Sequence, residues 1–329
     1  MRIIRSMLFL FLLATTIPGN AQTPLEQAFA ELQKGPDLPE ELQATRSAVF
    51  LKSSSMDSTG KALDWKAIAE ELHKNLVAMH IDAVAYYRWQ DLNAGFDATR
   101  SYLEVLRGRE INQIILLSIA KGKFQIYIIP SSDNPGLLAT DSPTWHTSSN
   151  SLDGVIETLA STVRRAGLDI ANFLIAESPE FFMDTEIFIK NRFESFQPDL
   201  KLDMLAAPLF FGRDPDNLEY SADEDLESIM RSEYPFNYEL VSTDLTEDQM
   251  KKAGFHYVLR YLHTEESTLK ILLDYTGPAT NPSKPGYKFY IKHLITGDIY
   301  LGNTWDSQAS WQAALKMHLN NMKKSLKVK

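Results

Sequence analysis

The chain has 329 residues, 44% of them hydrophobic, and a formal net charge of −10 at pH 7. That length supplies material for two ordinary cores, and the acidic balance argues against nucleic acid as a partner, because its readers concentrate basic charge on one face. Cysteine is absent, which excludes disulfides, thiolate metal sites, thiol nucleophiles and a lipidated cysteine.

Residues 1–21 read as a cleavable signal peptide. Arg2 and Arg5 precede an apolar run over 7–17, and the small residues Gly19 and Ala21 stand just before Gln22, where a signal peptidase would cut. As a helix the run would rise only ~16 Å against a hydrocarbon layer of ~30 Å, so it suits a leader better than an anchor. No later stretch has the ~18 consecutive apolar residues of a spanning helix. The expectation is a soluble mature chain in the periplasm or outside the cell.

From there the first half reads as a strand over 48–52 and a helix over 64–79. Trp65, Ile68, Ala69, Leu72, Leu76 and Met79 share one face of that helix. A strand over 81–87 and a helix over 97–107, capped by Asp97 and stopped by Gly108, follow. Two β-rich runs, 111–120 and 124–130, form a hairpin around Gly122, and Thr144-Trp145 precedes a helix over 152–166 ended by Gly167.

The second half restates this order. Strands over 205–211 and 236–241 bracket a helix over 223–233, and Thr246 with Gln249 forms a capping box for a helix over 246–253. The runs 255–263 and 268–275 are expected to be the hairpin, with a further strand pair at 287–295 and 298–302. Thr304-Trp305 and a helix over 307–326 complete the unit. The lysines that end the chain are cations favoured near a helix carboxyl terminus. This repetition predicts an α+β protein of two similar modules, 22–169 and 203–329, each a mixed sheet with helices packed on it. Thr144-Trp145 and Thr304-Trp305 are expected at equivalent positions. The connection, 170–202, holds Phe173, Phe181, Phe182, Ile187, Phe188, Phe193 and Phe196. It is too apolar for a solvated tether, and it is expected to pack between the modules.

In this order of elements each half resembles the amino-terminal α/β module of TolB-like bacterial envelope proteins. The likeness is topological, with no diagnostic motif. The propeller that follows in TolB is missing here, so that protein's partners do not carry over.

The chain contains no phosphate-cradling Gly-x-x-x-x-Gly-Lys-Ser/Thr loop, no Gly-x-Gly-x-x-Gly turn, no His-Glu-x-x-His helix and no Gly-x-Ser-x-Gly elbow. His256 and His263, seven apart on a strand, point to opposite faces. His73 and His80 are two helical turns apart, too far for a shared ion. The acidic run from Asp214 to Glu227 has Leu218 and Glu219 where a calcium loop needs an oxygen ligand and glycine. No metal and no cofactor is therefore expected. His146 stands out only for following Trp145. Trp145 and Trp305, beside polar loops, are the candidate binding residues, since such side chains anchor recognition surfaces. The reading is an exported binding or assembly protein of the bacterial cell envelope, more binder than enzyme, with a protein or envelope component as partner. A secreted hydrolase with its site between the modules is one alternative. A structural subunit that adds strands through an exposed sheet edge is the other.

Overall fold

The computed structural model describes residues 24–53, 64–120, 122–132, 137–181, 191–209, 222–243 and 245–328. The signal segment, most of the acidic run from Asp214, and Phe182, Ile187 and Phe188 lie outside them. The first module comprises α1 (Pro24–Ala30), β1 (Lys34–Gly35), β2 (Arg46–Ser53), α2 (Trp65–Ala78), β3 (Asp82–Arg88), α3 (Trp89–Leu92), α4 (Phe96–Gly108), β4 (Ile111–Ala120), β5 (Lys123–Pro130), β6 (Thr144–Ser149) and α5 (Leu152–Ala166). The second comprises β7 (Arg192–Phe193), β8 (Leu205–Pro208), α6 (Ala222–Glu233), β9 (Tyr238–Val241), α7 (Glu247–Lys252), β10 (Tyr257–Glu265), α8 (Glu266–Leu272), β11 (Pro285–His293), β12 (Ile299–Tyr300) and α9 (Trp311–Ser325).

Two mixed six-stranded sheets result, ordered β1-β6-β5-β4-β2-β3 and β7-β12-β11-β10-β8-β9. Strand roles and directions match throughout. In each sheet the first long strand runs parallel to its two neighbours, the hairpin strands are antiparallel, and a two-residue strand lies parallel on the far edge. The chain is thus an α+β protein of two similar modules.

Register fixes which residues correspond. In the first sheet one row runs Trp145, Ile128, Ile115, Val49, Tyr86. In the second, Tyr300 pairs with Ile291 and Ile291 with Leu259, while Ala207 pairs with Leu240. The counterpart of Trp145 is therefore Tyr300, and the expected equivalence of Trp145 with Trp305 does not hold. The reason is local: β12 is only two residues long and Gly302 turns the chain away with φ 79°, whereas β6 runs six residues up to the cap of α5.

A second expectation also fails. Residues 268–275 form no strand; α8 occupies most of them, and β10 pairs directly with β11. Leu269, Leu272 and Leu273 are buried together at helical spacing. A short leucine-rich run does not distinguish helix from strand by periodicity alone.

The layers are shared between the modules. In the first, α2 and α5 cover the sheet face around Val49, Ile115 and Leu159, while α1, α3 and α4 cover the opposite face around Phe50, Tyr87 and Tyr102. In the second, α6 and α9 cover the face carrying Leu259 and Phe289, with Leu315 of α9 packed on it. The other face receives α7 around Met250 and Val258 and, beside it, α8 together with Ala94 and Ala98 of the first module. The α3–α4 layer therefore lies between the two sheets. Of the connection's phenylalanines, Phe181 packs on Trp65 and Tyr86 of the first module and Phe196 enters the second core. Phe193 stacks on Tyr300, and Phe173 is 76% exposed.

Candidate functional site

The two candidate tryptophans sit in unlike surroundings. Trp145 is 4% exposed and belongs to the core beneath α5. Trp305 is half-buried, its ring 4.7 Å from Tyr275 and 5.1 Å from the Lys270 ammonium. Both contacts come from the 266–284 connection between β10 and β11, where the first module has only the tight turn at Gly122. Lys270 donates to the Pro278 carbonyl, and the Glu266 carboxylate accepts from the Thr280 and Asn281 amides at 3.2 and 2.8 Å. This fixes an open cleft of about 470 Å³ lined by Ser267, Lys270, Ile271, Asp274 and Tyr275. Gly277 lets the Tyr275 ring close against the backbone, and Trp305 and Lys270 take further sides of that ring. The aromatic surface is thus spent on holding the loop.

Several histidines also pack against other groups of the fold, although His146 Nε2 is buried without a hydrogen-bond partner among the described residues. His73 accepts from the Tyr86 hydroxyl at 2.9 Å and donates to the Ala176 carbonyl at 2.9 Å. His263 stacks on Tyr287 at 3.9 Å. His146 lies 4.4 Å from the Tyr127 ring, and burial together with nearby Lys34 lowers its pKa. His318 is buried beside Asp306, which also accepts from Lys288. Burial opposes the Asp306 charge, yet Lys288 and His318 bring its pKa down to about 2. Among the described residues no group of three His, Asp or Glu is placed to hold a metal ion.

Charge is concentrated where the modules meet. Arg260, Tyr290 and Lys292 alternate onto one face of β10 and β11 because successive strand residues point to opposite sides. Against them the first turn of α4 places Asp97. The Tyr290 hydroxyl donates to Asp97 Oδ2 at 2.8 Å, and Lys292 Nζ lies 3.7 Å from Asp97 and 2.8 Å from Glu247. Arg260 Nε approaches Asp97 to 3.2 Å as an ionic contact without hydrogen-bond alignment. Burial pushes the Asp97 carboxyl upward, but Lys292, Arg260 and the Tyr290 hydroxyl hold it below the usual carboxylate range. Nearby, the His263 amide donates to the Ala94 carbonyl at 2.6 Å and Arg88 meets Glu265 at 3.4 Å. Asp97, Glu247, Arg260 and Lys292 are thus engaged with one another across the seam.

The sheet edges differ between the repeats, and this difference is the chief candidate. On the outer edge of β3 the Tyr86 amide donates to the Glu180 carbonyl at 2.8 Å, and Phe181 forms a parallel bridge with Tyr86. Arg109 holds Glu180 through two bonds of 2.7 and 2.9 Å, and the Phe181 ring rests 5.3 Å from Trp65. The corresponding edge of the second sheet is β9. Its Asn237 and Val241 carbonyls accept from Leu205 and Leu209, so Tyr238 and Leu240 direct their amides and carbonyls away from β8. Leu240 is the register counterpart of Tyr86. Among the described residues no strand pairs with this side of β9. Sequence reasoning missed the contrast because it depends on which strand ends each sheet, which local periodicity does not encode.

No protein-family model, no curated protein and no solved structure matches this chain.

Proposed function

We propose that this chain is an exported binding or assembly protein of the bacterial cell envelope, and that it receives an extended segment of a partner protein along the outer edge of β9. The observation that carries the reading is the internal repeat. One module's outer strand already bears an extended segment with an aromatic anchor, and among the described residues no strand pairs with the matching edge of the other. An open edge offers a ladder of amides and carbonyls that supplies affinity, while side-chain pockets beside it supply specificity. The contacts that fill the seam between the modules weigh against the hydrolase alternative.

The test is site-specific photo-crosslinking in the native host, with the crosslinker at Glu239, exposed on β9, or at Glu157, exposed on α5. The reading requires a discrete protein adduct from Glu239 and none from Glu157. Equal adducts at both sites, or none at Glu239, would remove it. Mass analysis of the recovered protein tests export separately, with a chain starting at Gln22 expected.

A further inference from the structure

The first module shows in detail how its outer strand holds an extended segment. That segment runs parallel to β3, its Glu180 carbonyl accepts the outward amide of Tyr86, and Phe181 stands opposite Tyr86 in the bridge. Residues paired across a ladder point to one face of the sheet. The Phe181 ring therefore lies on the α2 side, 5.3 Å from Trp65 and 6.1 Å from Tyr86, and packs on the rim of the first core.

β9 repeats this phase. Val49 pairs with Tyr86 as Ala207 pairs with Leu240, both in parallel. Tyr238 and Leu240, whose amides point outward, are half-buried against the core beneath α6. A residue set opposite Leu240 by the same pairing would lie on the α6 side. Its neighbours there are aromatic: Tyr234 meets Phe236 and Tyr238 edge-on at 5.7 and 6.0 Å, an arrangement that a further ring extends favourably. Leu240 is smaller than Tyr86 and has no hydroxyl. The tie that runs from Tyr86 through His73 to the Ala176 carbonyl thus cannot be repeated, and the hold must come from the backbone ladder and apolar contact. With β9 as the docking strand, the reading on which this rests, we infer that its occupant is an extended partner segment that runs parallel to β9 and sets an aromatic side chain opposite Leu240, on the α6 side.

Photo-crosslinking in the native host tests this with crosslinkers at Asn237 and Thr243, exposed just beyond the two ends of β9. Sequencing of the adducts should place both captured residues in one partner segment, that from Thr243 carboxyl-terminal to that from Asn237, with an aromatic residue between them. Two variants carry the side-chain claim. Leu240→Asp sets a charge against the aromatic seat and should lower the adduct yield at least about tenfold. Glu239→Ala, on the same edge but the opposite face, should leave the yield unchanged, and unfolding temperatures matching the parent would show that both variants are folded. The order measured on the parent needs neither variant. The reverse order, a captured segment without an aromatic residue between the two points, or a yield that Leu240→Asp does not lower would overturn the inference while β9 remains the docking strand. Absence of adducts from both positions would remove the inference and the docking strand together.

Discussion

The Tyr290 hydroxyl of β11 donates to the Asp97 carboxylate of α4 at 2.8 Å across 193 residues of chain. One buried acid thereby serves both modules. Removing it leaves Arg260 and Lys292 with Glu247 as their remaining acidic partner at the seam. Loss of one partner from a buried ionic group costs about 3–5 kcal/mol. Asp97→Ala should therefore lower unfolding stability by that order in urea titration, and Tyr290→Phe by only about 1–2 kcal/mol, the scale of one hydrogen bond to a charged group.

The same carboxylate fixes the acid limb of stability. Its pKa is depressed in the fold, so its contribution is present above the ordinary aspartate range and is lost as pH falls through the lowered value, below about pH 4. Asp91 acts in the opposite sense. Burial, partly offset by Arg88 and reinforced by Glu265, raises its pKa to about 6. The fold then favours the protonated acid, and a penalty accumulates as pH rises from about 4 towards about 6 before levelling. Asp91→Asn should stabilise the protein at pH 7.5 by about 2–3 kcal/mol and remove that slope from a plot of stability against pH. An unchanged slope would contradict the assignment.

Close approach across the seam predicts an asymmetric pair of glycine substitutions. A Cβ on Gly95 would lie 2.7 Å from the Tyr261 carbonyl oxygen and 3.2 Å from Leu262, whereas one on Gly108, also in the α4 region, meets nothing within 4 Å. Gly95→Ala should cost about 1–3 kcal/mol through overpacking. Gly108→Ala should be neutral or stabilise by up to about 1 kcal/mol through helix propensity. Calorimetry of the two variants checks the ordering.

A further test concerns Lys288, 1% exposed, whose ammonium donates to Asp306 and to the Leu301 carbonyl. Lys288→Ala takes the cation from the buried Asp306, leaving it the Asn321 amide at 2.9 Å, and should destabilise by about 3–5 kcal/mol. Replacing both, as Lys288→Met with Asp306→Leu, should recover much of that loss, because apolar isosteres of a buried pair are often tolerated. Equal loss in the single and double variants would show that the cluster is not an ionic unit.

What the sequence made legible was local. The apolar face of α2, the β4–β5 hairpin and the Thr246–Gln249 capping box are each written within a few residues, and all three occur. The duplicated strand order was visible as a repeated succession of elements. The seam was not: Asp97 read as a helix cap, whereas Gly95 caps α4 and Asp97 reaches into the other module. Nothing near Asp97 in sequence announces Arg260 or Tyr290. Their one faint trace was polar residues recurring at alternate positions in otherwise apolar strands. Trp305 failed as the partner of Trp145 because a dipeptide match carries no register, while the ladder that places Tyr300 there is formed by strands distant in sequence.

Amide hydrogen exchange on the β9 edge tests the central claim most directly. In the free protein the Tyr238 and Leu240 amides, directed away from β8, should exchange rapidly for a strand. On addition of the partner captured through Glu239 they should slow at least about tenfold, as each new ladder hydrogen bond requires local opening before exchange. Slow exchange at both amides in the free protein, or unchanged rates in the complex, would contradict the account.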